Sequence, residues 1–189
     1  MTGTDRSSSV APAPGTLDLR TYIEDIPDYP KPGIVFRDVT PVFLDAEALG
    51  HAITLLAAWA GDRDVDYVVA AEARGFVLGA AIAARIGAGF VPARKPGRLP
   101  REAISVEYAL EYGVDALEVH RDALSGGARV LVHDDLIATG GTAAALCRLV
   151  ESAGATVVGC AFLVELAALG GRERLGDHDV HSLVTYGSD

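Results

Sequence analysis

From residue 67 onward, short apolar runs alternate with helix-patterned segments, and that alternation leaves few folds open. Tyr67-Val68-Val69-Ala70, Phe90-Val91, Val130-Leu131-Val132 and residues 157–164 read as strands. Residues 76–86, stopped by Gly87, and residues 143–153, stopped by Gly154, carry helical spacing. Continuous apolar strands interleaved with helices predict an α/β fold, a mainly parallel sheet covered on both faces. Ligands of such sheets bind beyond the carboxyl ends of the strands. The loops after Ala70, Val91, His133 and Val164 are therefore where chemistry is expected. Two further strand-like pieces, residues 104–108 and 116–120, flank Glu111-Tyr112-Gly113. Upstream, Thr16 is expected to cap a short helix through Leu17, Leu19 and Ile23. Residues 27–33 then break regular structure, and Asp45 caps a second helix carrying Leu49, Ile53, Leu56 and Ala60.

Composition narrows the function. The 189 residues carry 16 basic and 26 acidic side chains, a net charge of −10, which disfavours nucleic acid as a partner. No apolar run approaches the roughly 20 residues that span a bilayer, so no membrane is expected. Residues 1–15 offer little to bury and no apolar signal region, and read as a disordered arm. Residues 16–189 then form a single domain. Cys147 and Cys160 show neither metal spacing nor a disulfide framework, which makes a reducing cytoplasm the expected setting. His51, His120, His178 and His181 show no ligand spacing either.

The segment from Val130 to Ala143 carries the chemistry. A buried strand delivers Asp134 and Asp135, and the small-residue loop Ala138-Thr139-Gly140-Gly141-Thr142 opens a helix. Its amides, at the positive end of that helix, suit an anion, and the two threonine hydroxyls add donors. No Lys follows the glycines, so this is no Walker loop, and the dinucleotide G-x-G-x-x-G spacing is absent. Two carboxylates beside a phosphate loop would repel the phosphate but suit sugar hydroxyls. They also suit Mg²⁺ through water. Together these features describe a ribose 5-phosphate site.

This block resembles the phosphoribosyl pyrophosphate (PRPP) signature of type I phosphoribosyltransferases, and the flanking segments resemble the adenine-using branch of that family. Residues 32–41 (PGIVFRDVTP) resemble its base-binding segment, within a hood over about residues 16–41. Glu72-Ala73-Arg74-Gly75-Phe76, residues 94–100 (RKPGRLP) and Leu110-Glu111-Tyr112-Gly113 resemble its next segment, its pyrophosphate loop and its flexible catalytic loop. The matches run in order from about Leu17 to Tyr186.

The resemblance implies roles. Val35, Phe36 and Arg37 would bind the base, with Phe36 stacking on it. Arg74, Arg94 and Lys95 would bind pyrophosphate, Arg94 reaching across a homodimer interface, with Arg98 and Arg101 as weaker candidates. Residues 138–142 would hold the 5-phosphate and Asp134 and Asp135 the ribose. Glu111 and Tyr112 would act catalytically from the loop, Glu111 as acid to the purine or as support for positive charge on the ribose. Mg²⁺ would arrive on PRPP rather than on direct protein ligands, with water contacts to Asp134 and Asp135. His133 departs from the aliphatic residue usual there and reads as a hydrogen-bonded histidine of the sheet.

Relatives that use 6-oxopurines usually place a Lys after the strand that follows the phosphate helix. This chain has Val164-Glu165-Leu166 there, and its only lysines are Lys31 and Lys95. The expected reaction is therefore adenine plus PRPP giving AMP and pyrophosphate. The alternatives are transfer to xanthine, hypoxanthine or guanine, and a non-catalytic PRPP or nucleotide sensor.

Overall fold

In the computed structural model, residues 17–109, 114–124 and 126–187 are described. Thr16 and the arm at residues 1–15 lie outside them. A single 3-10 turn, Leu19–Tyr22, forms where a short helix was expected, and its cap is Asp18, whose carboxylate accepts from Arg20 N–H at 3.0 Å. Strands β1 (Glu24–Pro27) and β2 (Val35–Asp38) pair antiparallel as a small hairpin, the body of the expected hood. Helix α1 (Thr40–Leu44) leads into α2 (Ala46–Gly61). Asp45 caps α2 as predicted, accepting from the amides of Glu47 and Ala48 at 3.0 and 2.9 Å.

The sheet follows. Strand β3 (Tyr67–Ala71) runs into α3 (Gly75–Ile86), which Gly87 ends in the left-handed conformation at φ +76°. Next come β4 (Gly89–Ala93) and the antiparallel pair β5 (Ala103–Ala109) and β6 (Val114–His120). Then β7 (Arg129–Ile137) feeds α4 (Gly141–Ser152), β8 (Thr156–Leu166) returns, and β9 (Val180–Tyr186) closes the edge. The strand order is β4-β3-β7-β8-β9, with every neighbouring pair parallel.

Each face of the sheet carries its own core. Leu146, Leu149 and Val150 of α4 bury against Val130, Val132 and Phe162 and against Leu117 and Val119 of β6. On the other face Leu56 of α2 and Leu78 and Ile82 of α3 pack with Val68, Leu131 and Leu163. A fully buried Leu or Ile contributes about 1.5–3 kcal/mol, so these two layers fix the strand ends in place.

Strand register sets the site. Pairing of β3 with β7 stops at Ala70 opposite His133, whereas β7 runs on to Ile137 along β8. Asp134 and Asp135 thus emerge past the end of β3, at the carboxyl edge where ligands of this architecture bind.

Candidate active site

Two adjoining cavities share Arg74, Asp134, Asp135 and Thr142. The larger, about 510 Å³, is also lined by Glu72, Lys95, Tyr108 and Asp115. The smaller, about 230 Å³, is walled by the loop from Leu136 to Ala143. Residues predicted from three separate segments, 72–76, 94–100 and 130–143, therefore meet at one place.

The small-residue loop opens a helix as expected, with one shift. Helix α4 already begins at Gly141, so Gly141 and Thr142 belong to its first turn. Gly140 is its N-cap at φ +75°, a conformation that side chains rarely adopt, and no side chain caps the helix. The first-turn amides of α4 are left for a ligand.

The acidic pair splits by environment. Asp134 accepts the Asp135 amide at 3.0 Å, and its Oδ1 lies where a Cβ on Gly75 would be 2.7 Å away, so only glycine starts α3 there. Burial, then the neighbouring Asp135 carboxylate, push the Asp134 carboxyl well above its ordinary range. Asp135 is nearly buried and forms an ion pair with Arg74 Nε at 2.7 Å. Arg74, at the N-cap of α3, also has its guanidinium over the Phe36 ring, 5.2 Å from the centroid. The peptide bond Glu72–Ala73 just before it is cis.

The hood lies on the same side. Phe36 packs edge-on against Tyr29, centroids 5.2 Å apart, while Arg37 pairs with Asp25 across the hairpin. Val35 is 47% exposed, an open apolar surface at the start of β2.

The basic run is held by carboxylates that the sequence reading gave no role. Glu72 accepts from Arg94 Nε at 2.9 Å and from the Lys95 amide at 3.0 Å, and Arg98 Nε stands 3.5 Å away. Burial works against ionisation of Glu72, but these donors and charges outweigh it and keep its pKa low. Lys95 Nζ pairs with Asp115 at 3.0 Å; that contact raises the Lys95 pKa and lowers that of Asp115. Tyr108 donates to Asp115 at 3.4 Å. Arg101 pairs instead with Asp122 and does not line either cavity. Glu111 and Tyr112, the predicted catalytic loop pair, lie outside the described residues. No signal in the sequence marks Asp115, which acts through the hairpin fold that returns it to Lys95. Glu72 lay within the quoted motif, but its partners appear only in the fold.

His133 is fully buried with Nδ1 2.8 Å from the Ala161 carbonyl oxygen, the sheet role expected of it. Among the described residues no three His, Cys, Asp or Glu side chains converge on a metal-binding point. No helix there is long and apolar enough to cross a membrane.

Comparison with known proteins shows the family. The phosphoribosyl transferase domain family matches residues 43–185. The adenine phosphoribosyltransferase of Rubrobacter xylanophilus is 57% identical over 169 residues, covering 89% of this chain and 91% of that one. The crystal structure of adenine phosphoribosyltransferase from Thermoanaerobacter pseudethanolicus superposes with a TM-score of 0.87 at 50% identity, over 89% of this chain and 98% of its own. That of Saccharomyces cerevisiae, complexed with an imino-altritol bisphosphate and adenine, gives 0.81 at 38% identity, over 87% and 96%. A family match across most of the sheet, joined to relatives of this identity over nearly their whole length, places the chain among the phosphoribosyltransferases, and within them it belongs to the adenine phosphoribosyltransferase family.

Proposed function

We propose that this protein transfers the 5-phosphoribosyl group of PRPP to adenine, yielding AMP and pyrophosphate, a purine-salvage reaction. One observation carries the assignment of the site. A single guanidinium, that of Arg74, pairs with Asp135 and lies over Phe36, so the sugar acceptors and the base platform meet at one residue.

The bond from adenine N9 to the anomeric carbon forms as the bond from that carbon to the pyrophosphate oxygen breaks. The electron pair leaves with pyrophosphate, and the N9 proton passes to that departing pyrophosphate. Residues 138–142 hold the 5-phosphate through first-turn amides of α4 and the two threonine hydroxyls. Asp134 and Asp135 accept from the ribose hydroxyls and favour positive charge on the ring. Phe36 stacks on the purine, and backbone groups of Val35 and Arg37 read its edge. Arg74, Arg94 and Lys95 take the pyrophosphate; Asp135, Glu72 and Asp115, their respective present partners, keep those cations ordered until it arrives. Glu111 and Tyr112, outside the described residues, take the catalytic roles, Glu111 as acid to the purine or as support for positive charge on the ribose.

Mg²⁺ carried in on PRPP would supply charge to offset the leaving pyrophosphate, with water contacts to Asp134 and Asp135. Magnesium keeps several waters and takes few protein ligands, which suits a site offering two adjacent carboxylates at the sugar. A cytoplasmic setting accords with the free thiols of Cys147 and Cys160. A homodimer, with Arg94 at its interface, belongs to the same reading; exposed Leu44 and Val77 support it.

The 6-oxopurine and sensor alternatives are not favoured. The end of β8 presents Glu165 bound to Arg172, with no ammonium to read a 6-oxo group. The test is nucleotide formation from PRPP and Mg²⁺ with adenine, hypoxanthine, guanine and xanthine offered separately. AMP from adenine alone is expected. Turnover of a 6-oxopurine would overturn the base assignment, and PRPP binding without turnover of any base would favour a sensor.

A further inference from the structure

The proposed reaction leaves one charged pair, a buried carboxylate held by an exposed guanidinium, without a role. Glu165, at the end of β8, is 5% exposed. Arg172 grips it with both arms of its fork, Nε to Oε1 at 3.0 Å and Nη2 to Oε2 at 2.6 Å. The third nitrogen, Nη1, donates to the Val180 carbonyl at 2.7 Å. A bidentate pair of this kind fixes direction as well as distance. Between its two partners the chain makes only short 3-10 turns and joins no strand.

What the pair holds in place is the back of the phosphate loop. A Cβ on Gly171, the residue next to Arg172, would stand 2.2 Å from the Ala138 carbonyl oxygen and 2.9 Å from the Gly140 nitrogen. One on Gly140 would stand 2.4 Å from the Gly171 carbonyl oxygen. The two backbones touch with no room for a side chain on either. Three residues on, Arg174 Nη1 reaches the Thr139 carbonyl at 3.5 Å. The loop thus meets the brace through carbonyls at Ala138 and Thr139. In a planar trans peptide the C=O and the following N–H point to opposite sides. A brace that receives the Ala138 carbonyl therefore turns the Thr139 N–H away from itself. An unbraced loop could turn that peptide over and present a carbonyl to the phosphate instead.

We infer that Glu165 and Arg172 are positioning residues for the 5-phosphate, holding Gly171 against residues 138–140 so that the loop's amides are set before the ligand arrives. This rests on the reading of residues 138–142 as the phosphate loop. Neither side chain touches substrate. The effect belongs to the phosphate half of the site and not to the hood, which Glu165 and Arg172 do not contact through any of these bonds.

The test is a comparison of Glu165→Gln and Arg172→Lys with the wild type, in steady-state kinetics and in calorimetric binding of ribose 5-phosphate and of adenine. In Glu165→Gln, KM for PRPP and Kd for ribose 5-phosphate are expected to rise about tenfold, the scale of one lost charge-assisted contact. KM for adenine should stay within about twofold, as the hood is untouched. Arg172→Lys keeps the charge but not the fork and should show the same split, smaller, about threefold. It decides the matter if Glu165→Gln does not fold. Equal changes for both substrates, or no change for either, would overturn the inference. Failure of the wild type itself to bind ribose 5-phosphate would instead overturn the phosphate-loop reading beneath it.

Discussion

His133 is the last side chain that β7 buries before the acidic pair, and it carries a cost at low pH. Its Nδ1 hydrogen donates to the Ala161 carbonyl, and Nε2 has no partner among the described residues. Burial pushes its pKa down to about 4 from 6.5, with the Ala161 bond opposing. Between those values the unfolded chain binds more protons than the folded one. Stability is therefore complete above pH 6.5 and falls as the pH drops towards 4. The slope approaches about 1.4 kcal/mol per pH unit. His133→Val should lose this component, so urea unfolding of wild type and variant at pH 4.5–7.5 should diverge on acidification, by about that slope. Parallel profiles would show that the imidazole is not buried neutral. The sequence showed His133 as a departure and suggested its bland role; only the register of β7 against β8 supplies the carbonyl it bonds.

At the scale of elements, the hood is tied to the last strand by one ring. Tyr186 at the end of β9 has the Arg20 and Arg37 guanidinium carbons 4.4 and 4.2 Å from its centroid. Arg20 also donates to the Thr185 carbonyl at 2.6 Å. A cation over an aromatic face is worth about 0.5–2 kcal/mol. Tyr186→Leu should therefore raise KM for adenine about three- to tenfold by loosening β2, while Tyr186→Phe, which keeps the ring, stays near wild type. Matching KM values for Leu and wild type would show that the hood needs no such anchor. The same elements mark where sequence patterns stop being informative. Helices α2, α3 and α4 and strands β3, β7 and β8 bury continuous or periodic apolar faces, so their residues alone announce them. Strands β1 and β2 are four residues each, mixed in polarity, and exist through pairing with each other. Strand β9 pairs only with β8 and is mostly half-buried, so His181, Ser182 and Thr185 blur its alternation.

Across the whole molecule, a chain of net charge −10 gathers cations at one cleft and partners them with its own carboxylates. A small-residue loop opening a helix, with two acids before it, was legible from spacing, because a strand end must deliver them side by side. The assembly of Phe36, Arg74, Lys95 and Asp134 into one site was legible only as ordered motifs of a family. No local pattern says that β7 outruns its pairing with β3, and that overhang is what sets Asp134 and Asp135 in the cavity wall. The most direct measurement is a crystal structure of this protein with AMP. The phosphate is expected within hydrogen-bond reach of the amides of residues 139–142, the ribose hydroxyls on Asp134 and Asp135, and the purine on the Phe36 ring. A phosphate bound at Arg94 and Lys95 instead, or a purine away from Phe36, would contradict it.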